Sequence, residues 1–437
     1  MTIPPGERRV PPQRGLVGPQ LHVVMDGETI ATLTSTRAGR AKLTYLPGAS
    51  AVTRGLSCSM KTTTVRHLGA PVINWISGLL PDRGEVLARW RSRFGLKRMD
   101  AYALLWHVGE DVAGAARFVR PDRLDHLDDG AAEPVTDEAI GERVRALTAD
   151  ASAWVPSPGT GQFSLAGAQA KFALARTDDG QWAETTGARP TTHIFKPAIP
   201  GMVDQDLDEH LTMRLAAAAG LPVAHTEVME FAGARCLVVT RFDRYQGADG
   251  TWRRLHQEDA VQALGLLPLL KYEQNGGPGV RAIANLLRDN VTGEHRGEDV
   301  DSFIDATAFN WLVAGTDAHA RNFSLLHTRR STRLAPLYDL NSFLPYGAGR
   351  PLGLAMKIGY TERDPARISA RHWTELARDC GVDPDVTLAR VNALAERLLA
   401  AVDGVVTDAS IRRWDSPLPG RLRDLLAAHI TACQRRM

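Results

Sequence analysis

Asp317, His319 and Asn322 fall within six consecutive residues, and their types and spacing suit phosphoryl transfer. Asp317 and Asn322 are five positions apart, the offset of the HRDxxxxN loop of protein kinases. There the aspartate takes the proton of the acceptor hydroxyl and the asparagine holds Mg²⁺. A second carboxylate, Asp339 in Tyr338-Asp339-Leu340-Asn341, fits the other metal ligand. Mg²⁺ takes hard oxygen donors, usually one or two carboxylates with several waters. An Asp-x4-Asn pair alone arises by chance in 437 residues, with Asp317 capping a turn and Asp339 starting one. The neighbouring elements decide between the two readings.

Ile304, Phe309, Leu312 and Val313 recur at helical spacing, which predicts a helix over Phe303–Val313 with Gly315 as its C′ glycine. Phe323–His327 and Leu334–Leu340 alternate apolar and polar residues around Thr328–Arg333, the pattern of a hairpin. A helix therefore feeds the loop with Asp317 and Asn322, and a hairpin delivers Asp339.

Further upstream, Ser164-Leu165-Ala166-Gly167-Ala168-Gln169-Ala170-Lys171 is a loop of small residues before a predicted strand, Phe172–Arg176. Such a loop can approach phosphates closely and offer backbone N–H groups, although it is neither a Walker A sequence nor GxGxxG. A plain structural loop is the alternative. Thr191–Lys196 reads as a strand ending in Lys196, and Asp208–Gly220 as a helix carrying Glu209. The two could pair as the strand lysine and helix glutamate of kinases do. They could equally be a solvated lysine and a glutamate complementing the helix dipole. His319 is open between an acid/base role, a phosphate contact and a structural histidine.

Composition narrows the classes. Lys+Arg 52 against Asp+Glu 50 gives a formal charge of +2, which argues against bulk electrostatic binding of nucleic acid. Cys58, Cys236, Cys380 and Cys433 are far apart with no CxxC spacing, so a cytoplasmic protein with free thiols is expected. No apolar run approaches the roughly eighteen residues of a membrane span, and the N-terminus lacks an apolar h-region, so no secretory signal is expected. Residues 1–20 are rich in proline and arginine and read as a flexible tail. Residues 21–155 read as an α/β subdomain opened by a hairpin at Asp26-Gly27, with helices at Gly84–Phe94 and Ala101–His107 and a strand at Val112–Val119. Residues 156–245 carry strands, a helix and an antiparallel pair (His225–Phe231 and Arg235–Thr240), the order of a kinase N-lobe, and 246–437 are mostly helical. The expected fold is α+β, with a two-lobed kinase-like core, an N-terminal α/β subdomain and an all-helical C-terminal lobe.

Six motifs in order carry a resemblance: SLAGAQAK at Ser164–Lys171, HIFKP at His193–Pro197, VVTRFDR at Val238–Arg244, LHQEDAVQALG at Leu255–Gly265, GTDAHARNFSLL at Gly315–Leu326 and PLYDLNS at Pro336–Ser342. Together with GLLPDR at Gly78–Arg83, they resemble the HipA family, the kinase toxins of bacterial toxin–antitoxin pairs. The resemblance implies an ATP- and Mg²⁺-dependent serine/threonine protein kinase. Asp317 would be the base, Asn322 and Asp339 the Mg²⁺ ligands, and Lys196 a phosphate contact. Gly167, Ala168, Gln169 and Lys171 would form the phosphate loop, Arg241 and Phe242 would belong to the hinge at the adenine, and Gln257 and His319 would contact nucleotide. Ser164 would be an autophosphorylation site whose phosphate, about two charges, repels ATP and shuts the enzyme off. Implied partners are a HipB-like helix-turn-helix antitoxin, DNA through that antitoxin, and a translation component such as an aminoacyl-tRNA synthetase. Thr240 stands where the family often has an acidic residue. A small-molecule phosphotransferase and a non-catalytic antitoxin-binding co-repressor remain as alternatives.

Overall fold

Asp26 and Gly27 both take positive φ, 50° and 79°, as a type I′ turn requires, and join the strands Leu21–Met25 and Glu28–Ser35. This computed structural model describes residues 20–35, 40–97, 99–153, 164–347 and 351–437. The proline-rich tail before Gln20, and Pro156, Pro158 and Gly159 at the expected boundary, lie outside them.

The N-terminal module is a five-stranded antiparallel sheet, in the order Arg66–Leu68, Ala41–Tyr45, Glu28–Ser35, Leu21–Met25 and Arg117–Val119. Trp75 of the helix Ala70–Ser77 and Trp90 of Gly84–Arg93 are fully buried in its core. Of the strand expected over Val112–Val119, only Arg117–Val119 forms. Gly114 takes φ 84° and donates its N–H to Asp243 at 2.7 Å, so this stretch is a loop docked on the next module.

The second sheet has six antiparallel strands, in the order Thr226–Phe231, Ala234–Thr240, His193–Lys196, Phe172–Arg176, Trp182–Thr185 and Ala132–Pro134. Its edge strand Ala132–Pro134 and the helix Asp137–Ala149 fall within the expected N-terminal subdomain 21–155, yet they pack on this sheet. The pattern gave no sign of that, because three residues of edge strand carry almost no periodicity. Helix Gln205–Ala218 covers the other side and begins earlier than the expected Asp208, with Arg235 bound to Asp206 at 2.8 Å in its first turn.

The third region is helical, built on His295–Leu312, Ala370–Asp379, Pro384–Val406 and Leu418–Gln434. It also holds a three-stranded sheet, His256–Asp259, Ser324–His327 and Thr332–Leu334, so it is not purely helical. The hairpin's second strand stops at Leu334 rather than Leu340, and Pro336 follows without an N–H to donate. Among the described residues no helix is long and apolar enough to cross a membrane.

Buried ions weld the modules together. Arg241 and Arg244 share Asp243 and Asp111, with Arg241 Nη2–Asp243 Oδ2 at 2.9 Å and Arg244 Nη2–Asp111 Oδ1 at 3.0 Å. Glu258 accepts from the Cys58 N–H at 2.8 Å, Trp75 Nε1 at 3.0 Å and His327 Nε2 at 3.1 Å. Burial opposes both Arg241 and Asp243, and their mutual charges outweigh it to hold each ionised. Asp243→Ala leaves two buried guanidinium groups sharing Asp111, and should cost about 3–5 kcal/mol of stability in denaturant unfolding. An unchanged midpoint would mean that the network contributes nothing.

Candidate active site

Helix His295–Leu312 ends in a Schellman arrangement, in which the Gly315 N–H donates to the Asn310 carbonyl at 2.7 Å and the Ala314 N–H to Trp311 at 3.2 Å. The left-handed residue is Ala314 (φ 53°), not Gly315 as the sequence predicted. Gly315 is required for a different reason: a side chain there would collide with Asn310 Oδ1. The chain then turns sharply. The Asp317 carbonyl accepts from the His319 N–H at 2.7 Å and from Asn322 Nδ2 at 2.9 Å. Asn322 thus spends its nitrogen on the loop and keeps Oδ1 as an oxygen donor. Asp317 itself is exposed.

After the hairpin, the Tyr338 hydroxyl is 2.7 Å from Ser324 Oγ and donates to the Arg321 carbonyl at 2.7 Å, while its ring stacks on Phe242 at 5.3 Å. This fixes the approach to Asp339, which sits in left-handed backbone at φ 59°. Asp339 Oδ1 accepts from Lys196 Nζ at 2.8 Å, and Lys196 also donates to Glu209 Oε1 at 2.7 Å. Burial alone would discharge Lys196, but Asp339 and Glu209 overcome it and raise its pKa. Burial likewise raises Asp339, yet Lys196 and Lys171 outweigh that and hold it at about 2. Glu209 is raised by its complete burial against the pull of Lys196.

These groups line one cleft of about 490 Å³ between the second sheet and the helical lobe. Gly167, Ala168, Gln169, Lys171, Lys196, Arg241, Phe242, Gln257, Asp317, His319, Asn322 and Asp339 all reach it. Gly167 takes φ 112°, its carbonyl accepts the Asp82 N–H at 3.0 Å, and any side chain there would meet Lys171. Gln169 Nε2 bridges the Pro197 carbonyl at 3.0 Å and Gln205 at 3.1 Å. Lys171 Nζ donates to the Ala166 carbonyl at 2.7 Å, and burial followed by the Lys196 charge brings its pKa down to about 8. His319 is buried, which lowers its pKa, and its Nδ1 has no hydrogen-bond partner among the described residues.

Two predicted site residues stand apart. Ser164 is fully buried, its Oγ donating to the Leu79 carbonyl at 2.7 Å, and it does not line the cleft in this conformation. Arg241 borders the cleft, but its guanidinium is committed to Asp243, Thr191 and the Val112 carbonyl, and its main-chain N–H donates to the Thr192 carbonyl at 2.9 Å while its carbonyl accepts from the Arg244 N–H at 3.2 Å. The sequence reading also missed Asp82, which receives both Arg321 and Lys271 and brings the N-terminal module to the cleft rim. Tyr272, whose hydroxyl donates to Asp317 Oδ1, was missed as well. Tyr272 has no periodic or spacing signal, and Asp82 entered only as part of the GLLPDR motif.

Lys196 held by Glu209 on the sheet side, facing an Asp–Asn loop on the helical side, is the layout of a two-lobed kinase, and the fold is of that class. The family follows from sequence. Residues 163–404 match the HipA-like C-terminal domain, and residues 21–119 match the HipA N-terminal domain. Y4mE of Sinorhizobium fredii, a kinase by name, is 34% identical over 414 residues, covering 93% of this chain and 96% of its own. The serine/threonine-protein kinase toxin HipA of Shewanella oneidensis is 28% identical over 330 residues, 71% of this chain and 72% of its own. The solved complex of Shewanella oneidensis HipA with HipB and operator DNA superposes with a TM-score of 0.80 at 23% identity, covering 95% and 97% of the two chains. The chain belongs to the HipA family and is a serine/threonine-protein kinase.

Proposed function

We propose that this chain transfers the γ-phosphoryl group of Mg²⁺·ATP to serine or threonine hydroxyls of a protein, as the toxin of a type II toxin–antitoxin pair. The observation that carries this reading is Lys196 bridging Glu209 and Asp339 in the cleft lined by Asp317 and Asn322. The residues fit the absent ligands. Asp339 and the Oδ1 of Asn322 are hard oxygen donors suited to Mg²⁺, and the buried His319 Nδ1, unpartnered among the described residues, suits a polar ligand group. Bound ATP supplies the phosphoryl group, and the metal offsets the charge that develops on it. Lys196, Lys171 and the Gly167 loop place positive charge and backbone around the phosphates. Asp317 takes the proton of the acceptor hydroxyl. Ser164 is the proposed inhibitory autophosphorylation site. Its burial under Leu79 means that the loop must leave its seat before modification, and a phosphate there could not return. A HipB-like antitoxin is the proposed partner, because the superposed relative is seen with HipB and operator DNA. An aminoacyl-tRNA synthetase is the proposed substrate by family resemblance.

Incubation with Mg²⁺ and γ-labelled ATP, followed by mass spectrometry of the protein's own peptides, tests the reading. Label on Ser164 that is lost in Asp317→Asn is expected. No incorporation from unphosphorylated protein would favour the small-molecule or non-catalytic alternatives.

Lys171 gives this site a pH dependence. A lysine at about 8 is charged below that pH and neutral above it, so one phosphate-facing charge fades as pH rises from 7 to 9. Calorimetric ATP affinity should fall by about fivefold over that span, with proton uptake on binding. Lys171→Met should bind more weakly with a flat profile, and a variant that keeps the slope would assign it elsewhere.

A further inference from the structure

Lys271, Tyr272 and Glu273 are consecutive, and each side chain ends on a different element. Lys271 Nζ pairs with Asp82 of the N-terminal module at 2.9 Å, and Glu273 Oε2 accepts the Lys357 N–H at 2.7 Å. Between them the Tyr272 hydroxyl donates to Asp317 Oδ1. Among the described residues this is the one hydrogen bond made to the Asp317 carboxylate, since the loop's other bonds go to the Asp317 carbonyl. An exposed aspartate held at a single oxygen would otherwise turn about two soft side-chain torsions.

Tyr272 does not turn with it. Its carbonyl accepts from the N–H groups of Asn275 and Gly277, both at 3.0 Å, and the Lys271 carbonyl accepts from the Ala320 N–H at 3.1 Å. Its ring meets the buried His319 edge-on, 4.9 Å between centroids at 80°. The turn behind it is built for this: Gly276 takes φ 84°, and a side chain at Gly277 would collide with the Leu270 carbonyl. A rigid, glycine-dependent turn thus presents one phenol to one oxygen of the base.

We propose that Tyr272 is a positioning residue for phosphoryl transfer, fixing one oxygen of Asp317 so that the other meets the acceptor hydroxyl. This rests on the kinase reading above. In the step itself, the acceptor oxygen bonds to the γ-phosphorus, the β–γ bridging bond breaks, and ADP leaves. The hydroxyl proton passes to the free Asp317 oxygen. Tyr272 keeps its own proton throughout, because burial, and then its bond to the Asp317 carboxylate, push its pKa well up. Misplacing a reacting group by about 1 Å can cost on the order of a hundredfold in rate.

The test compares the full-length protein with Tyr272→Phe, using Mg²⁺·ATP and a library of seryl and threonyl peptides as acceptor. Expected are a kcat lower by about ten- to a hundredfold, an unchanged KM for ATP and an unchanged melting temperature. Phenylalanine fills the same space, so folding is retained. Wild-type transfer with a variant kcat within twofold overturns the Tyr272 assignment alone. Equal losses in kcat and ATP affinity assign Tyr272 a merely structural role and overturn it too. Wild-type protein that phosphorylates nothing overturns the kinase reading beneath it.

Discussion

Asp317→Asn should reduce phosphoryl transfer by about 10²–10⁴-fold while ATP binds as in the wild type. Both halves of this result follow from where Asp317 stands. It is exposed and forms no ion pair among the described residues, so removing its charge leaves no buried cation there uncompensated. The replacement is isosteric, its amide oxygen can still accept from Tyr272, and the main-chain bonds to His319 and Asn322 do not change. Only the capacity to take a proton is lost. Single-turnover transfer measured beside calorimetric ATP binding checks both halves. Turnover within tenfold of the wild type would remove Asp317 as the base, and weakened ATP binding would mean that it holds the loop rather than the proton.

Asp339→Ala should be as damaging by a different route, lowering transfer by about 10³-fold or roughly 4 kcal/mol. It removes the carboxylate proposed for Mg²⁺ and one of the two anions that hold Lys196. It also puts alanine at φ 59°, where a residue with Cβ costs on the order of 1–2 kcal/mol. Asp339→Asn separates these effects, because asparagine tolerates left-handed backbone and keeps the side-chain shape. Both variants should lose Mg²⁺-dependent transfer, with the alanine variant also melting earlier. Growth arrest on expression should disappear in both, and arrest that persists would point to a non-catalytic route. Sign matters for the pH profile. Asp339 has a depressed pKa of about 2, so its charge is present through the neutral range and is lost only as pH falls towards that value.

Much of this site was legible because its signals are local. The Asp-x4-Asn spacing, a lysine ending a strand and a glutamate early in a helix need only neighbouring residues to be read. Lys196 and Glu209 are 13 positions apart, and strand-to-helix geometry brings them to 2.7 Å. The Asp26-Gly27 turn was equally plain, since few other dipeptides accept two positive φ angles. The errors came where a long-range contact overrides a local preference. Gly315 looked like the left-handed helix stop, but its lack of a side chain serves the contact with Asn310, and Ala314 takes the strained conformation.

By itself the sequence determined the family, the order of the elements and the residue types that can move a phosphate and a proton, because each is written in residues close together in the chain. Only the tertiary structure decided which of those residues share a cleft. It placed Ser164 beneath Leu79 rather than in the cleft, and committed the Arg241 guanidinium to a buried ion network. It brought Tyr272 to Asp317 across 45 positions and Asp82 to Arg321 across 239. The reason is physical. A buried charge or a lone carboxylate is satisfied by whatever donor the packing brings near, and nothing in the local pattern records which donor that is.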